Sequence, residues 1–291
     1  MLTVAKRGPG HDDVSGDLDL TRQAVAVCVD LAAMGPQETL AEYVASGHAR
    51  IGRMLGAARG FAVLAAKMDR SPKDDPLLGW RIELCYDIGP KSNEQVVAVE
   101  GDVREETYVH DPLIRSACRA AGRHRVLHIP DPRKVAAHRA TFEAKYWTMF
   151  SLRDRLKAVH ALSPTVELHL SFDRSMDATR FGCREVCLLE LVTSGMAPWA
   201  QRFAFMLGRL DGLAVLSPRE REVAYGLLGH ANVKNVAANL SMSEARAREL
   251  IRAVYKKLGV GGRLELANKW ASSTVPPATP LGSTMAVGRR R

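Results

Sequence analysis

Apolar residues recur at helical spacing near the start of the chain, and the spacing then changes to a strand-like alternation. The pattern predicts one helix over residues 18–34, ending at Gly35-Pro36, and a second helix that stops near Gly60. Residues before Leu18 show no periodicity, so we expect residues 1–17 to be disordered.

Short runs in the middle of the chain are predicted as strands. Trp80–Ile88 and Thr165–Asp173 alternate apolar and polar positions, as half-buried strands do, and Phe61–Ala66 is continuously apolar, as a buried strand is. The predicted strands are Phe61–Ala66, Trp80–Ile88, Val126–Ile129 and a hairpin of Asp154–Leu162 with Thr165–Asp173. Helices are predicted over Glu105–Ala121 and Lys134–Trp147. The alternation predicts an antiparallel sheet with one covered face and flanking helices, an α+β domain over residues 18–175. The polar positions expected to face solvent include Glu83, Asp87, Glu167 and Asp173.

A long helical pattern follows from Thr179 to Leu210, and Pro198 is expected to break or kink it near Gly195. This stretch, within residues 176–212, is predicted as a linker helix. It leads to a compact all-α unit of four helices over residues 213–271. The tail, residues 272–291, is rich in turn residues, so we expect it to be disordered.

Helix start signals divide the all-α unit into short helices. Ser217 with Glu220 forms a capping box, Asn232 is a good N-cap for a second helix, and Ser243 starts a third. Two short helices, a tight turn and a longer helix match the helix-turn-helix arrangement. In the third helix Ala247, Ile251, Val254 and Leu258 recur at helical spacing and should be buried.

The opposite face of the third helix is charged and can enter a DNA major groove. Arg248 and Arg252 point the same way and can read guanine, and Glu249 can accept from cytosine. The predicted phosphate contacts are Lys234, Arg246, Lys256 and Lys257. A charged helix face is often only solvated, but the three-helix context favours DNA binding.

This unit resembles the LuxR-type helix-turn-helix over about 50 of 291 residues. The matching residues are LSPREREV from Leu216, Lys234, Ala237, Ser243-Glu244, KLGV from Lys257, and Arg263. The resemblance implies a bacterial transcription regulator. It also implies a fourth helix, from about Arg263 to Trp270, that packs on the unit and often dimerises.

Four positions depart from the LuxR-type pattern. His230 replaces a usual glycine, Asn235 an acid, Arg246-Ala247 the opening Thr-Val of the recognition helix, and Leu250 a common histidine. The apolar pattern is intact, so the fold should survive. The departures motivate an alternative, in which the unit keeps its fold, no longer reads bases and serves as a protein-interaction or effector-sequestering module.

The order of elements before residue 210 resembles a GAF- or PAS-type sensor domain. In LuxR-type regulators, that resemblance implies that the N-terminal domain senses a small molecule or a partner protein. Residues 108–113 also resemble part of an autoinducer-binding signature, in which Tyr108 precedes Asp111-Pro112, although the signature's upstream Trp is missing. Capping of a helix that begins at Pro112 explains Asp111 equally well.

The distribution of charged residues supports the predicted DNA-binding unit. The chain carries a net charge of +9, and residues 214–270 hold ten basic against five acidic residues. Positive charge is therefore concentrated in the predicted DNA-binding unit, as polyanion binding requires. Five cysteines without a CxxC spacing argue against a disulfide framework, and the chain lacks a signal peptide or a long apolar run. We therefore expect a cytoplasmic protein with no membrane partner.

Other candidate sites have weaker support. Trp80, Tyr86 and Trp147 can line an apolar cavity, with core packing as the alternative. Two sets of possible metal ligands are His124, His128 and His138, and His169, Cys183 and Cys187. Neither set has a zinc-type spacing, and no enzyme motif is present, so we expect no metal, no cofactor and no catalysis. The sequence thus predicts a homodimeric regulator that binds double-stranded DNA under the control of a small-molecule or protein effector.

Overall fold

The computed structural model describes residues 14–34, 40–129, 131–134, 138–209, 212–228 and 232–271. The helices of the N-terminal part are α1 (Val14–Ala33), α2 (Leu40–Leu55), α3 (Asn93–Arg104), α4 (Pro112–Cys118), α5 (Phe142–Met149), α6 (Cys183–Gly195) and α7 (Ala197–Met206). The strands are β1 (Gly60–Lys67), β2 (Trp80–Ile88), β3 (Arg125–Ile129), β4 (Leu152–Ser163) and β5 (Val166–Ser175). The C-terminal helices are α8 (Pro218–Leu228), α9 (Val233–Asn239), α10 (Glu244–Leu258) and α11 (Arg263–Ala271).

The five strands form one antiparallel sheet in the order β2-β1-β5-β4-β3. Strands β4 and β5 form the predicted hairpin, which closes where Ser163 pairs with Val166. The antiparallel α+β architecture with flanking helices is therefore confirmed.

Both faces of this sheet are covered, so the expectation of one covered face was wrong. Helices α2, α6 and α7 pack on one face, where Leu156, Leu168 and Phe172 are buried, and α1 packs on these three helices. Helices α4 and α5 cover part of the other face, above Phe61 and Val159. The polar residues that alternate along β5 point into this second layer. Glu167 and Asp173 are each about 1% exposed, contrary to the prediction, whereas Glu83 is exposed.

The predicted helix over Glu105–Ala121 was also wrong. Helix α3 comes earlier, where Ser92 and Gln95 form a capping box, and the chain turns at Glu106 with φ 53°. A short 3₁₀ helix, Thr107–His110, separates this turn from α4. Asp111 caps α4 and Pro112 occupies its first turn, so the Asp-Pro pair starts a new helix instead of continuing an old one.

Two further helices begin at residues other than those predicted. The helix predicted over Lys134–Trp147 is limited to α5, which starts at the N-cap Thr141. Val14–Asp17 are helical, so the disorder predicted for residues 1–17 is wrong there. Residues 1–13 and the tail 272–291 lie outside the described residues.

The helical stretch after β5 divides as predicted near Gly195. Helix α6 ends there and α7 begins at Ala197, with Pro198 in its first turn. Leu188, Val192 and Trp199 are fully buried between these helices and the sheet. The stretch predicted as a linker helix therefore belongs to the sheet's own core.

The start signals of the C-terminal helices act as predicted. The Glu220 amide donates to Ser217 Oγ at 3.3 Å, and Glu220 accepts from the Ser217 amide at 2.7 Å. Asn232 caps α9 and Ser243 caps α10, which ends at Gly259 with φ 64°. The apolar side of α10 is buried against α8 and α9.

These C-terminal helices continue the core of the sheet domain. Helix α7 packs on α8, where the rings of Phe205 and Tyr225 lie 5.9 Å apart. Arg209 forms an ion pair with Glu83 of β2 at 2.8 Å, just before the chain enters the C-terminal unit. Helix α7 is therefore in direct contact with both the sheet and α8.

Candidate functional site

A cavity of about 100 Å³ lies between the second face of the sheet and the layer of α3, α4 and α5. Its walls are largely aromatic and aliphatic. They include Phe61, Val63, Trp80, Ile82, Val99, Tyr108, Ile114, Phe142 and Tyr146. The polar lining comes from Arg81, Glu143, Arg155, Lys157, His169 and Ser171. An apolar chamber with a few convergent polar groups is typical of a small-molecule site.

A bulge in β2 decides which of its side chains reach the cavity. Leu84 pairs with Leu64, but Ile82 pairs with Ala65, so Glu83 is an extra residue in the ladder. Trp80 and Ile82 consequently face the cavity, whereas Tyr86 packs against the core on the opposite face of the sheet. Of these two candidates, Trp80 therefore lines the cavity, and Tyr86 has the core-packing role that was the alternative.

Of the remaining predicted ligand residues, Tyr108 alone lines the cavity. It is about 1% exposed, and its hydroxyl oxygen accepts from the Ile82 amide at 3.1 Å. Burial raises the pKa of Tyr108, so this hydroxyl keeps its hydrogen at neutral pH.

Asp111 lies behind the wall of the cavity. Its carboxylate accepts from the Leu113 amide at 2.8 Å and from the Glu143 amide at 2.9 Å. It therefore fastens α4 to α5 and does not line the cavity, and its position matches the capping role that the sequence offered as the alternative. Trp147 of α5 is fully buried, and the guanidinium of Arg133 lies 5.6 Å from its ring centre. Trp147 does not line the cavity either.

The floor of the cavity carries an ion network that sequence analysis missed. Arg155 donates to both oxygens of Asp173, at 2.6 and 3.0 Å, and to Glu143 at 2.6 Å. Burial lowers the pKa of Arg155, but the two carboxylates outweigh burial and raise it above its ordinary value. The guanidinium is therefore permanently charged, and each of its three nitrogens donates to a carboxylate oxygen.

A second ion group lies beside the first. Glu167 accepts from Arg125 at 2.7 Å and from His169 at 2.9 Å. Burial opposes ionisation of Glu167, yet hydrogen bonds from His169 and Arg125 lower its pKa to about 2. Only the register of the hairpin reveals these inward charges, since in the sequence they occupy the polar positions of an alternating strand.

Burial keeps the two thiols at the cavity protonated. Burial raises the pKa of Cys85 to about 12 and that of Cys118 to about 11. Thiolate is the nucleophilic form of cysteine, so neither side chain is activated for covalent chemistry. Among the described residues, no three His, Cys, Asp or Glu side chains are arranged to hold a metal ion.

The second candidate site is the exposed face of α10. Arg248, Glu249 and Arg252 are all exposed, as are Lys256 and the Lys234 side chain of α9. Arg248 pairs with Glu244 at 2.8 Å and Arg246 pairs with Glu249 at 2.6 Å. Arg252 makes no ion pair with any residue that the structure describes.

Lys257 differs from the other predicted phosphate contacts. Its ammonium lies 2.7 Å from Glu220, which is about 6% exposed at the start of α8. Lys257 therefore joins α10 to α8, and its substitution would also disturb the fold. The departure at His230 lies outside the described residues.

Comparisons with known proteins give neither a family nor a close relative. No family model and no curated protein matches the sequence. The crystal structure of Escherichia coli SdiA is 15% identical, with a TM-score of 0.42, covering 88% of this chain and 98% of SdiA. SdiA in complex with octanoyl-rac-glycerol is 16% identical, with a TM-score of 0.39, covering 91% of this chain and 97% of that one. Similarities this low assign no function. Among the described helices, none combines the length and apolar character needed to span a bilayer.

Proposed function

We propose that this chain is a DNA-binding transcription regulator in which the cavity domain binds a small-molecule effector and controls the C-terminal helices. The observation that carries the proposal is the division of α10 into two faces. Ala247, Ile251 and Val254 are buried against neighbouring helices, and the opposite, largely basic face is open to solvent. A supported helix with a free basic face is what major-groove binding requires.

Base reading is assigned to Arg248, Glu249 and Arg252, and phosphate binding to Lys234, Arg246, Lys256 and Lys257. The ion pairs of Arg248 with Glu244 and of Arg246 with Glu249 must open when DNA binds. Exposed helical pairs of this kind are worth about 0.3–0.5 kcal/mol each, so DNA can displace them at little cost.

A homodimer fits this function, because two recognition helices about 34 Å apart can read a pseudo-palindromic site. Exposed apolar side chains support dimerisation. They are Leu18, Val25 and Val29 of α1, which are 53–60% exposed, and Leu191 of α6, which is 42% exposed. The effector signal would pass from the sheet through α7, which contacts both β4 and α8.

A gel-shift series on specific and random DNA tests the assignment. Arg252→Ala should lose discrimination between the two DNAs, because Arg252 makes no ion pair with the described residues and can donate to guanine. Lys256→Ala is the matched control and should weaken binding to both DNAs equally, since phosphate contacts carry no sequence information. Equal losses on both DNAs for both variants would contradict base reading by α10.

The alternative is a protein-interaction module that no longer reads bases. Four of the charged side chains of α10 are already paired with one another, which favours this alternative together with the four departures from the LuxR-type pattern. Salt dependence separates the two functions. Binding through several phosphate contacts falls steeply with salt concentration, whereas binding to a protein partner need not.

A further inference from the structure

The polar groups of the cavity offer more hydrogen-bond donors than acceptors. The Ser171 hydroxyl oxygen accepts from the Phe61 amide at 2.8 Å, and the Tyr108 hydroxyl oxygen accepts from the Ile82 amide at 3.1 Å. Each hydroxyl retains one hydrogen that has no acceptor among the described residues. Both side chains are buried, so these hydrogens point to a ligand that accepts hydrogen bonds.

Lys157 adds a positive charge to this set of donors. Its side chain is 17% exposed, and its ammonium lies 3.9 Å from Glu143, beyond hydrogen-bond distance. It forms no hydrogen bond with any residue that the structure describes. Glu143 and Asp173 are both bound to Arg155 at 2.6 Å. Arg155 thus occupies both oxygens of Asp173 and Oε2 of Glu143, and Lys157 keeps a single ion pair among the described residues, with Glu143 Oε1. Because this ion pair uses no hydrogen bond of Lys157, its donors remain available to the cavity.

We propose that the cavity binds a small aromatic carboxylate, whose ring packs on the aromatic wall and whose carboxylate accepts from Lys157 and Ser171. The inference rests on the proposed function, in which this cavity is the effector site. The wall of Phe61, Trp80 and Phe142 suits a flat ring, and the floor supplies donors to an anion. Lys157 and Ser171 are paired neighbours on β4 and β5, so one head group can contact both.

The size of the cavity limits the ligand to about one ring. An engineered apolar cavity of about 150 Å³ holds a benzene molecule. The present cavity has a volume of about 100 Å³, so even a single ring with a short head group requires the lining side chains to move apart. A long acyl chain would require α3, α4 and α5 to move away from the sheet.

Titration calorimetry on the full-length protein tests the ligand class with three probes of equal size. Benzoate carries the negative charge, benzamide is its neutral analogue, and benzylamine carries a positive charge. We expect benzoate to bind at least about 10-fold more tightly than benzamide, because a charged acceptor strengthens each hydrogen bond to Lys157. Benzylamine should not bind measurably.

Substitutions of Lys157 then test whether its ammonium contacts the carboxylate of the ligand. Lys157→Met should weaken benzoate binding by about 10- to 100-fold and leave benzamide binding nearly unchanged. Lys157→Arg should retain the preference for benzoate. Lys67→Met, an exposed lysine of the same sheet that does not line the cavity, is the matched control and should bind benzoate as the wild type does.

Three results would overturn the inference. They are equal affinity for benzoate and benzamide, tighter binding of benzylamine, and no binding of any probe. The first two leave the cavity as an effector site and reject only the anionic ligand class. The wild-type comparison does not depend on the folding of a variant. DNA binding is measured separately by gel shift without ligand, so its failure would reject the regulator and leave the calorimetric result standing.

Discussion

Arg155 shows how this protein stabilises a charge inside its core. It is about 3% exposed, yet all three of its donating nitrogens are bound to carboxylates of Asp173 and Glu143. Glu143 belongs to α5 and Asp173 to β5, so one guanidinium holds the layer above the cavity onto the sheet. Removing one partner from such a buried group leaves uncompensated charge, which costs far more than the group contributes when complete.

Arg155→Met should therefore lower the free energy of unfolding by about 3–5 kcal/mol. Arg246→Met removes the exposed pair with Glu249 and should cost less than about 1 kcal/mol. Urea denaturation of both variants measures the difference. Similar losses for the two would mean that the buried network does not hold α5 on the sheet.

A buried histidine couples stability to pH. His160 is about 2% exposed, and its Nδ1 lies 3.0 Å from the Thr193 carbonyl oxygen, to which it donates when neutral. Burial and the nearby His124 lower its pKa from 6.5 to about 4. In the unfolded chain this histidine is protonated below about pH 6.5, whereas in the folded protein it is protonated only below about pH 4. Between these pH values the unfolded state binds more protons, so lowering the pH favours unfolding.

The stability of the wild type should consequently fall as pH drops from 6.5 to 4, with up to about 3 kcal/mol attributable to His160. His160→Leu should make this fall shallower, whatever its effect on absolute stability. Burial also lowers the pKa values of His48 and His169, so part of the dependence of stability on pH should remain in this variant. Urea midpoints measured across this pH range test the prediction, and an unchanged slope would exclude His160 as a source.

At the scale of elements, close packing of α2 on α7 depends on one glycine. A Cβ added at Gly47 would lie 2.3 Å from the ring of Trp199, which is fully buried on α7. Gly101 of α3 is also helical, and a Cβ there would meet no atom within 4 Å. The two glycines therefore differ in packing and share the same weak helix propensity.

Gly47→Ala should destabilise the protein by about 1–3 kcal/mol, because the core around Trp199 must be overpacked. Gly101→Ala should stabilise it by up to about 1 kcal/mol, since alanine favours a helix over glycine. Thermal unfolding of both variants measures these changes in stability. A loss at Gly101 as large as that at Gly47 would contradict the role of the α2–α7 contact.

At the scale of the whole molecule, one hydrophobic cluster extends from the sheet into the C-terminal helices. It includes Phe172 of β5, Phe205 of α7 and Val223 of α8. Because α7 belongs to the core of the sheet domain and also packs on α8, we expect the whole chain to unfold in one cooperative step.

Phe205→Ala should divide that step into two calorimetric transitions, because it removes the ring that packs between α7 and α8. Phe150→Ala is the control, because it removes a buried ring from a second hydrophobic cluster, on the cavity side of the sheet. This variant should have a lower unfolding temperature and a single transition. Two transitions in the wild type would show that the α7–α8 contact does not couple the two parts.

The sequence determined the local features because their causes are local. Capping residues such as Ser217, Asn232 and Ser243 set the C-terminal helix starts, and alternation set the strands of the hairpin. Helical spacing predicted Ala247, Ile251, Val254 and Leu258 on the buried face of α10, and Leu250, which is also buried, was missed. Trp80 and Tyr108 line the cavity, but ligand binding by them stays a prediction, as do the roles of the α10 side chains toward DNA.

Tertiary structure alone decided which face of the sheet each side chain occupies and what covers it. One extra residue, Glu83, turned Trp80 toward the cavity and Tyr86 away from it, because strand alternation reverses at a bulge. The inward charges of Arg155 and Lys157 resemble solvent-facing residues until the α3–α5 layer closes over them. Burial depends on elements that are distant in sequence, so no local pattern could have shown that these polar residues build the floor of a cavity.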